Sequence, residues 1–119
     1  MIKGHLVHAE LAITAPEQQQ GLMNRTSLPT DQGMLFVFPV PKLQGFWMKD
    51  TRLPLSIAFI DANKRIVNIA DMMPLDEMTI HRSASAVPYA LEVNKGWFAA
   101  KGIVAGDSCE FTVPGVATR

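Results

Sequence analysis

In GFWMKDTRLPLSIAFID, residues 45–61, Trp47 and Met48 stand beside Lys49, Asp50 and Arg52 before the chain returns to apolar residues. A fixed ammonium next to a flat aromatic face can orient a polar or anionic group, and a carboxylate within reach can move a proton. Neighbouring side chains of a regular strand point to opposite faces, so Lys49 and Asp50 would not pair with each other there. The plainer reading of Asp50 is an Asx turn, its carboxylate accepting from the amides of TRL ahead of Pro54, which holds Leu53 extended. Lys49 either lays its stem over Trp47 and Met48 or stands as an ammonium at a pocket mouth.

Two more residues join this set. Glu92 lies between apolar residues of YALEVN, a clean alternation of Tyr89, Leu91 and Val93 against Ala90, Glu92 and Asn94. On a solvated face it is a surface carboxylate; at the mouth of a sheet it can meet Lys49 or Arg25. An unpaired buried carboxylate is costly, so a buried Glu92 requires a partner. Arg25 sits just past a short helix, where a cation suits the negative helix end as well as it suits a ligand.

Other chemistry is poorly supported. Met72, Met73 and Met78 share a long segment with His81, and thioethers with imidazole can bind Cu(I), but methionine more commonly fills irregular gaps. Asp71, Asp76 and Glu77 lack the spacing of a calcium loop. His5 and His8 would point to opposite faces of a strand and cannot share a metal. Cys109 is the single cysteine, which excludes an intramolecular disulfide and a cysteine zinc site and reads as a small buried hydrophobe. There is no glycine-flanked serine elbow and no phosphate-cradling glycine loop, and Ser83 and Ser85 beside His81 do not make a triad. Neither a metal nor a cofactor is expected.

The elements that must position these residues follow from hydrophobic periodicity. Val7, Ala9, Leu11 and Ile13 alternate with polar positions as one core-facing side of a strand. TAPE is a capping box that starts a helix at Thr14, with Pro16 tolerated in the first turn, and the helix ends around Gly21 to Met23. GMLFVF reads as a strand covered on both faces, and PVPKLQG as a connection, because two prolines cannot both serve a central ladder. GFWMK and PLSIAFI are further strands, and DANK, residues 61–64, is a hairpin turn into RIVNIA. Residues 71–88 form a long irregular segment. Asn94 caps a helix over KGWFAAK, closed by Gly102; GDSCEFTV is the last strand and PGVATR a frayed tail.

Seven or so short strands and two short helices in 119 residues predict a mainly β, single-domain chain, residues 1–119. A β-sandwich or distorted barrel, jelly-roll-like, fits better than an alternating βαβ arrangement. Composition is globular: 48% hydrophobic and 18% charged. Eleven basic residues offset eleven acidic ones, and Lys64-Arg65 and His81-Arg82 fall short of the basic stripe that nucleic acid demands, so no nucleic-acid partner is expected. No run approaches the roughly 18 apolar residues of a membrane span. The start MIKGHLVHAELAIT lacks a signal-peptide pattern, which predicts a cytoplasmic protein, or a periplasmic or secreted one if an export signal has been removed.

Four stretches taken together, GLMNR, GMLFVF, FWMKDT with PLSIAFID, and ALEVNKG, resemble in order and spacing the family known as domain of unknown function 192, small proteins of bacteria and archaea. The resemblance runs from about Glu10 to Gly106. It implies a compact, jelly-roll-like β-sandwich with helices tucked against it, and no established activity. Members typically read Trp-Met-Lys-Asn-Thr where this chain has Trp47, Met48, Lys49, Asp50 and Thr51. The change at Asp50 keeps shape and acceptor and adds charge, which a turn role permits and a donor role forbids. Members commonly carry an aspartate where this chain has Ser56, so a catalytic base there would be lost. Position 24, usually aromatic in the family, is Asn24 here, which thins a stacking surface beside Arg25. Export signals among relatives are consistent with a periplasmic or secreted setting.

The leading expectation is a binding module for a small polar or anionic ligand or a peptide, held by Arg25, Trp47, Lys49, Asp50 and Glu92. The alternatives are an enzyme with Asp50 or Glu92 as general base and Lys49 as stabiliser, and an interaction module using a sheet edge or the 71–88 segment. The sequence leaves the oligomeric state open.

Overall fold

The computed structural model describes residues 1–113. Its frame is a five-stranded mixed sheet in the order β1-β2-β7-β4-β5, built from β1 (His8–Ala12), β2 (Gln32–Lys42), β7 (Val87–Asn94), β4 (Leu55–Ile60) and β5 (Ile66–Met72). A separate two-stranded sheet pairs β3 (Gly45–Phe46) with β6 (His81–Arg82). The helices are α1 (Ala15–Gln20) and α2 (Trp97–Ala100).

The fold is mainly β, and the five-stranded sheet does not close: β1 and β5 are edges, so the expected barrel is not formed. The β1–β2 pair is parallel, while the other ladders are antiparallel. A parallel pair needs a crossover, and α1 supplies it. The opening elements are thus one βαβ unit, in a chain that otherwise does not follow an alternating βαβ pattern. None of the described helices is long and apolar enough to cross a membrane.

Both faces of the sheet are covered, which is why β4 reads LSIAFI with all six residues buried. Leu55, Ile57 and Phe59 point to one face, where they pack with Phe36, Met48, Leu22 and Met72. Ala58 and Ile60 point to the other, against Ile2, Trp97, Phe98, Ile103 and Cys109. Cys109 is buried as expected, and burial pushes its thiol up to about 11. In the central strand β7, Glu92 lies opposite Met34 on one side and Ile57 on the other, both from the first face. Gly33 permits this close pairing, because a Cβ there would lie 2.3 Å from the Glu92 carbonyl oxygen.

The capping box forms as the sequence predicts: the Thr14 side chain accepts from the Glu17 N–H, and the Glu17 carboxylate accepts from the Thr14 N–H at 2.9 Å. The 61–64 turn also forms, with Asp61 Oδ1 accepting from the N–H groups of Asn63 and Arg65.

Elsewhere tertiary context redraws the elements. β2 runs on through Pro39 and Pro41 to Lys42, and the ladder tolerates them because its register jumps between Val37 and Lys42, leaving both prolines unpaired. GFWMK contributes only Gly45 and Phe46 to a strand. On β1, Leu11 is 37% exposed and Ala12 is the buried residue, and Ile13 just beyond the strand is also 37% exposed, because the edge strand has a partner on one side only. The expected strand GDSCEFTV reduces to isolated bridges at Ser108 and Cys109. β6, inside the segment expected to be irregular, makes up the count. Asn94 does not cap α2; its Nδ2 donates to the Leu28 carbonyl oxygen at 2.7 Å, and the cap position is Gly96. The tail expected at PGVATR lies outside the described residues.

Candidate functional site

Above the first face, between α1, β3 and the turn that follows it, lies a cavity of about 500 Å³. Its walls come from three places. The end of α1 and the next turn supply Gln18 and Gly21 to Met23; β2 and β3 supply Phe36, Phe38 and Phe46; the WMKD turn supplies Trp47, Lys49, Asp50 and Thr51. Glu92 reaches the cavity from the middle of β7.

Each wall is held by its own local chemistry. Gln18 Nε2 donates to the carbonyl oxygens of Ala12 and Val37, at 3.1 and 2.6 Å, tying α1 to β1 and β2 at once. Phe36 and Phe46 meet edge to face with centroids 4.9 Å apart, and Phe38 packs on both rings. The WMKD turn is anchored by Met48, 1% exposed, and closed by the Thr51 N–H donating to the Met48 carbonyl oxygen at 3.1 Å. The Thr51 hydroxyl donates to the Lys49 carbonyl oxygen, and the Leu75 N–H to the Thr51 carbonyl oxygen.

Asp50 sits at φ 54, in the left-handed region that Asn and Asp tolerate better than most residues. Its carboxylate makes no hydrogen bond among the described residues, so the expected Asx turn is absent; backbone conformation, not side-chain capping, selects the residue type. Lys49 Nζ lies 5.6 Å from the centroid of the exposed Trp47 ring. The aromatic rim therefore already holds an ammonium group.

Glu92 is 5% exposed and has no hydrogen-bond or ion-pair partner among the described residues. The sequence argument that a buried Glu92 must be paired is corrected by its protonation. Burial pushes the carboxyl up to about 8, so the group is mostly neutral at neutral pH and avoids the cost of an isolated charge.

Arg25 does not line the cavity. It makes a bidentate pair with Glu10 of β1, Nη2 donating to Oε1 at 2.8 Å, which also holds the Glu10 carboxyl below its usual range. The methionines of the 71–88 segment do not converge either. Met72 is fully buried, whereas Met73 and Met78 are 56% and 93% exposed, so the three thioethers do not share one environment. No cluster of three His, Cys, Asp or Glu side chains fit to hold a metal occurs among the described residues.

Sequence reasoning passed over Gln18 and Gln44 and the three phenylalanines. Neither glutamine carried a signal of its own: Gln18 belongs to the short EQQQ run of α1, and Gln44 to the connection before β3.

GLMNR, GMLFVF, FWMKDT and ALEVNKG each contribute to the cavity: Gly21 to Met23, Phe36 and Phe38, Phe46, Trp47 and Lys49 to Thr51, and Glu92. The DUF192 family model, described as uncharacterized ACR, matches residues 1–111. The chain belongs to the DUF192 family. Two crystal structures resemble it closely. One, from Novosphingobium aromaticivorans DSM 12444, is a protein of unknown function: 39% identical, TM-score 0.88, covering 92% of this chain and 81% of its own. The other, from Sinorhizobium meliloti 1021, is described as a candidate transcription regulator: 38% identical, TM-score 0.83, covering 86% of this chain and 79% of its own. No curated protein matches.

The position where the DUF192 resemblance implies an aspartate lies away from the cavity. Ser56 is 1% exposed on the opposite face, where its hydroxyl donates to Asp71 Oδ1 at 2.6 Å and accepts from the Gly96 N–H at 3.0 Å. A carboxylate lost there takes nothing from the cavity.

Proposed function

We propose that this DUF192 protein is a binding module whose cavity holds a small polar ligand, with Trp47, Lys49 and Asp50 at the rim and Glu92 at the floor. The observation that carries the reading is the buried Glu92 carboxyl, unpartnered among the described residues, on a central strand and open to the cavity. Burying such a group costs stability, and a ligand that hydrogen-bonds it recovers that cost. Arg25, ion-paired with Glu10, serves here to hold the turn after α1 rather than the ligand. The test is a screen of small polar compounds by amide NMR of the parent and of Trp47→Ala. Binders that shift Phe46 to Thr51 and Glu92, and weaken in the variant, support the reading. Binders that shift only residues remote from the cavity count against it.

A second reading has its own support. A carboxyl titrating near 8 in a cavity suits proton transfer, and being protonated at neutral pH it suits a general acid rather than the base expected from sequence. A panel of ester and glycoside substrates tests this, with any activity expected to fall as pH rises through about 8 and to vanish in Glu92→Gln.

The fold is read with this function as a rudimentary sandwich, the β3–β6 pair acting as a small second layer over the cavity face. A role in DNA binding, as the description of the Sinorhizobium protein would bring, has no support from the balanced charge of this chain.

A further inference from the structure

The polar atoms of the cavity are unevenly assigned. Gln18 Nε2 is committed to backbone carbonyl oxygens of Ala12, Ile13 and Val37, and Gln44 Nε2 to that of Val87. Among the described residues no group donates to either Oε1, and both residues line the cavity. Glu92 adds two carboxyl oxygens with no partner among those residues. At the rim, Trp47 already carries an ammonium on its face, that of Lys49. Acceptors below and an aromatic face above make an environment for a group that donates hydrogen bonds in several directions and carries positive charge.

Resting on the binding reading above, we infer that the cavity takes a primary ammonium group, borne by a small amine or a lysine side chain, with the Glu92 carboxyl as its counter-group. The charged groups around Glu92 are few. Its cross-strand neighbours Met34 and Ile57 are apolar, and Lys49 and Asp50 are the only other titratable residues lining the cavity among the described residues, opposite in sign and adjacent in the chain. Their fields largely offset, so Glu92 decides the preference.

A consequence is coupling to a proton. The ammonium binds the ionised carboxylate, so the Glu92 proton leaves to solvent as the N–H···O bond forms. Below about pH 8 the ionised fraction falls tenfold per unit, and apparent affinity falls with it, about tenfold per pH unit.

The experiment is calorimetric titration of the full chain with cadaverine and with an Nα-acetylated lysine peptide, at several pH values and in buffers of differing ionisation enthalpy. The expected result is proton release and about a tenfold loss of affinity from pH 7 to pH 6. The two probes distinguish a free amine from a peptide side chain as the source. In the parent, carboxyl carbon NMR should show the Glu92 midpoint falling from about 8 by about three units or more on saturation with the better probe, which needs no variant to fold. Glu92→Gln should remove the pH dependence and weaken binding at least about tenfold. Amine binding without pH dependence overturns the inference. Methyl glucoside binding in the cavity while both amines fail overturns it and leaves the binding reading standing. Failure of every probe overturns it, while the wider screen decides the binding reading separately.

Discussion

The backbone N–H of Asn24 donates to the carbonyl oxygen of Asp50 at 2.8 Å, joining two residues that both lie in the left-handed region, at φ 64 and 54. This bond docks the turn after α1 onto the WMKD turn, and the cavity lies between them. The turn is therefore structural in its backbone and available for function in its side chains.

Backbone and charge at Asp50 can be separated by substitution. Asp50→Asn and Asp50→Gly keep the left-handed conformation and should leave urea unfolding nearly unchanged. Asp50→Val should cost about 1–2 kcal/mol, because a β-branched residue is strained there. Equal losses in all three variants would point to the carboxylate instead.

Glu92 makes stability depend on pH in a direction opposite to most carboxylates. The folded protein binds the Glu92 proton more tightly than the unfolded chain, with the midpoint moved from 4.5 to about 8. The unfolded state therefore holds fewer protons between those values, and the Glu92 contribution to stability declines as pH rises through that window. Glu92→Gln should flatten this part of the curve and be more stable than the parent at about pH 8. Denaturant melts across pH check the sign.

Gly33 tests the packing beneath the site. Any side chain there meets the Glu92 carbonyl oxygen, so Gly33→Ala must push β2 from β7, at a cost of about 1–3 kcal/mol. Thermal unfolding reads the loss, and amide shifts of residues 90–93 should report the displacement.

Arg25→Ala removes an ion pair whose side chains are 38% and 53% exposed. The expected loss is below about 1 kcal/mol and shrinks further in high salt. Ligand shifts at Trp47 and Glu92 should persist in this variant; their disappearance would return Arg25 to the site.

Much of the frame was legible because it depends on local signals. The Thr14 to Glu17 box, the Asp61 turn and the alternation of YALEVN each encode their own geometry. What was hidden depends on partners distant in sequence. The prolines at 39 and 41 are compatible with β2 only because β7 skips them, and Asn94 turned from a cap to a tie because Leu28 was in reach. For the site, Trp47, Lys49, Asp50 and Glu92 were singled out by residue type and do line one cavity. Arg25 was singled out by its place just past the end of a helix, but Glu10, across the βαβ crossover, claims it. The glutamines were missed because neutral polar side chains leave little mark until their nitrogens are seen anchored and their oxygens free.

The most direct measurement is the titration of the Glu92 carboxyl carbon by NMR in the ligand-free protein. The account predicts a midpoint near 8, the mark of a buried acid with no partner at the floor of an open site. A midpoint near the ordinary 4.5 would mean that Glu92 is solvated or paired, and the case for the cavity as a binding site would lose its foundation.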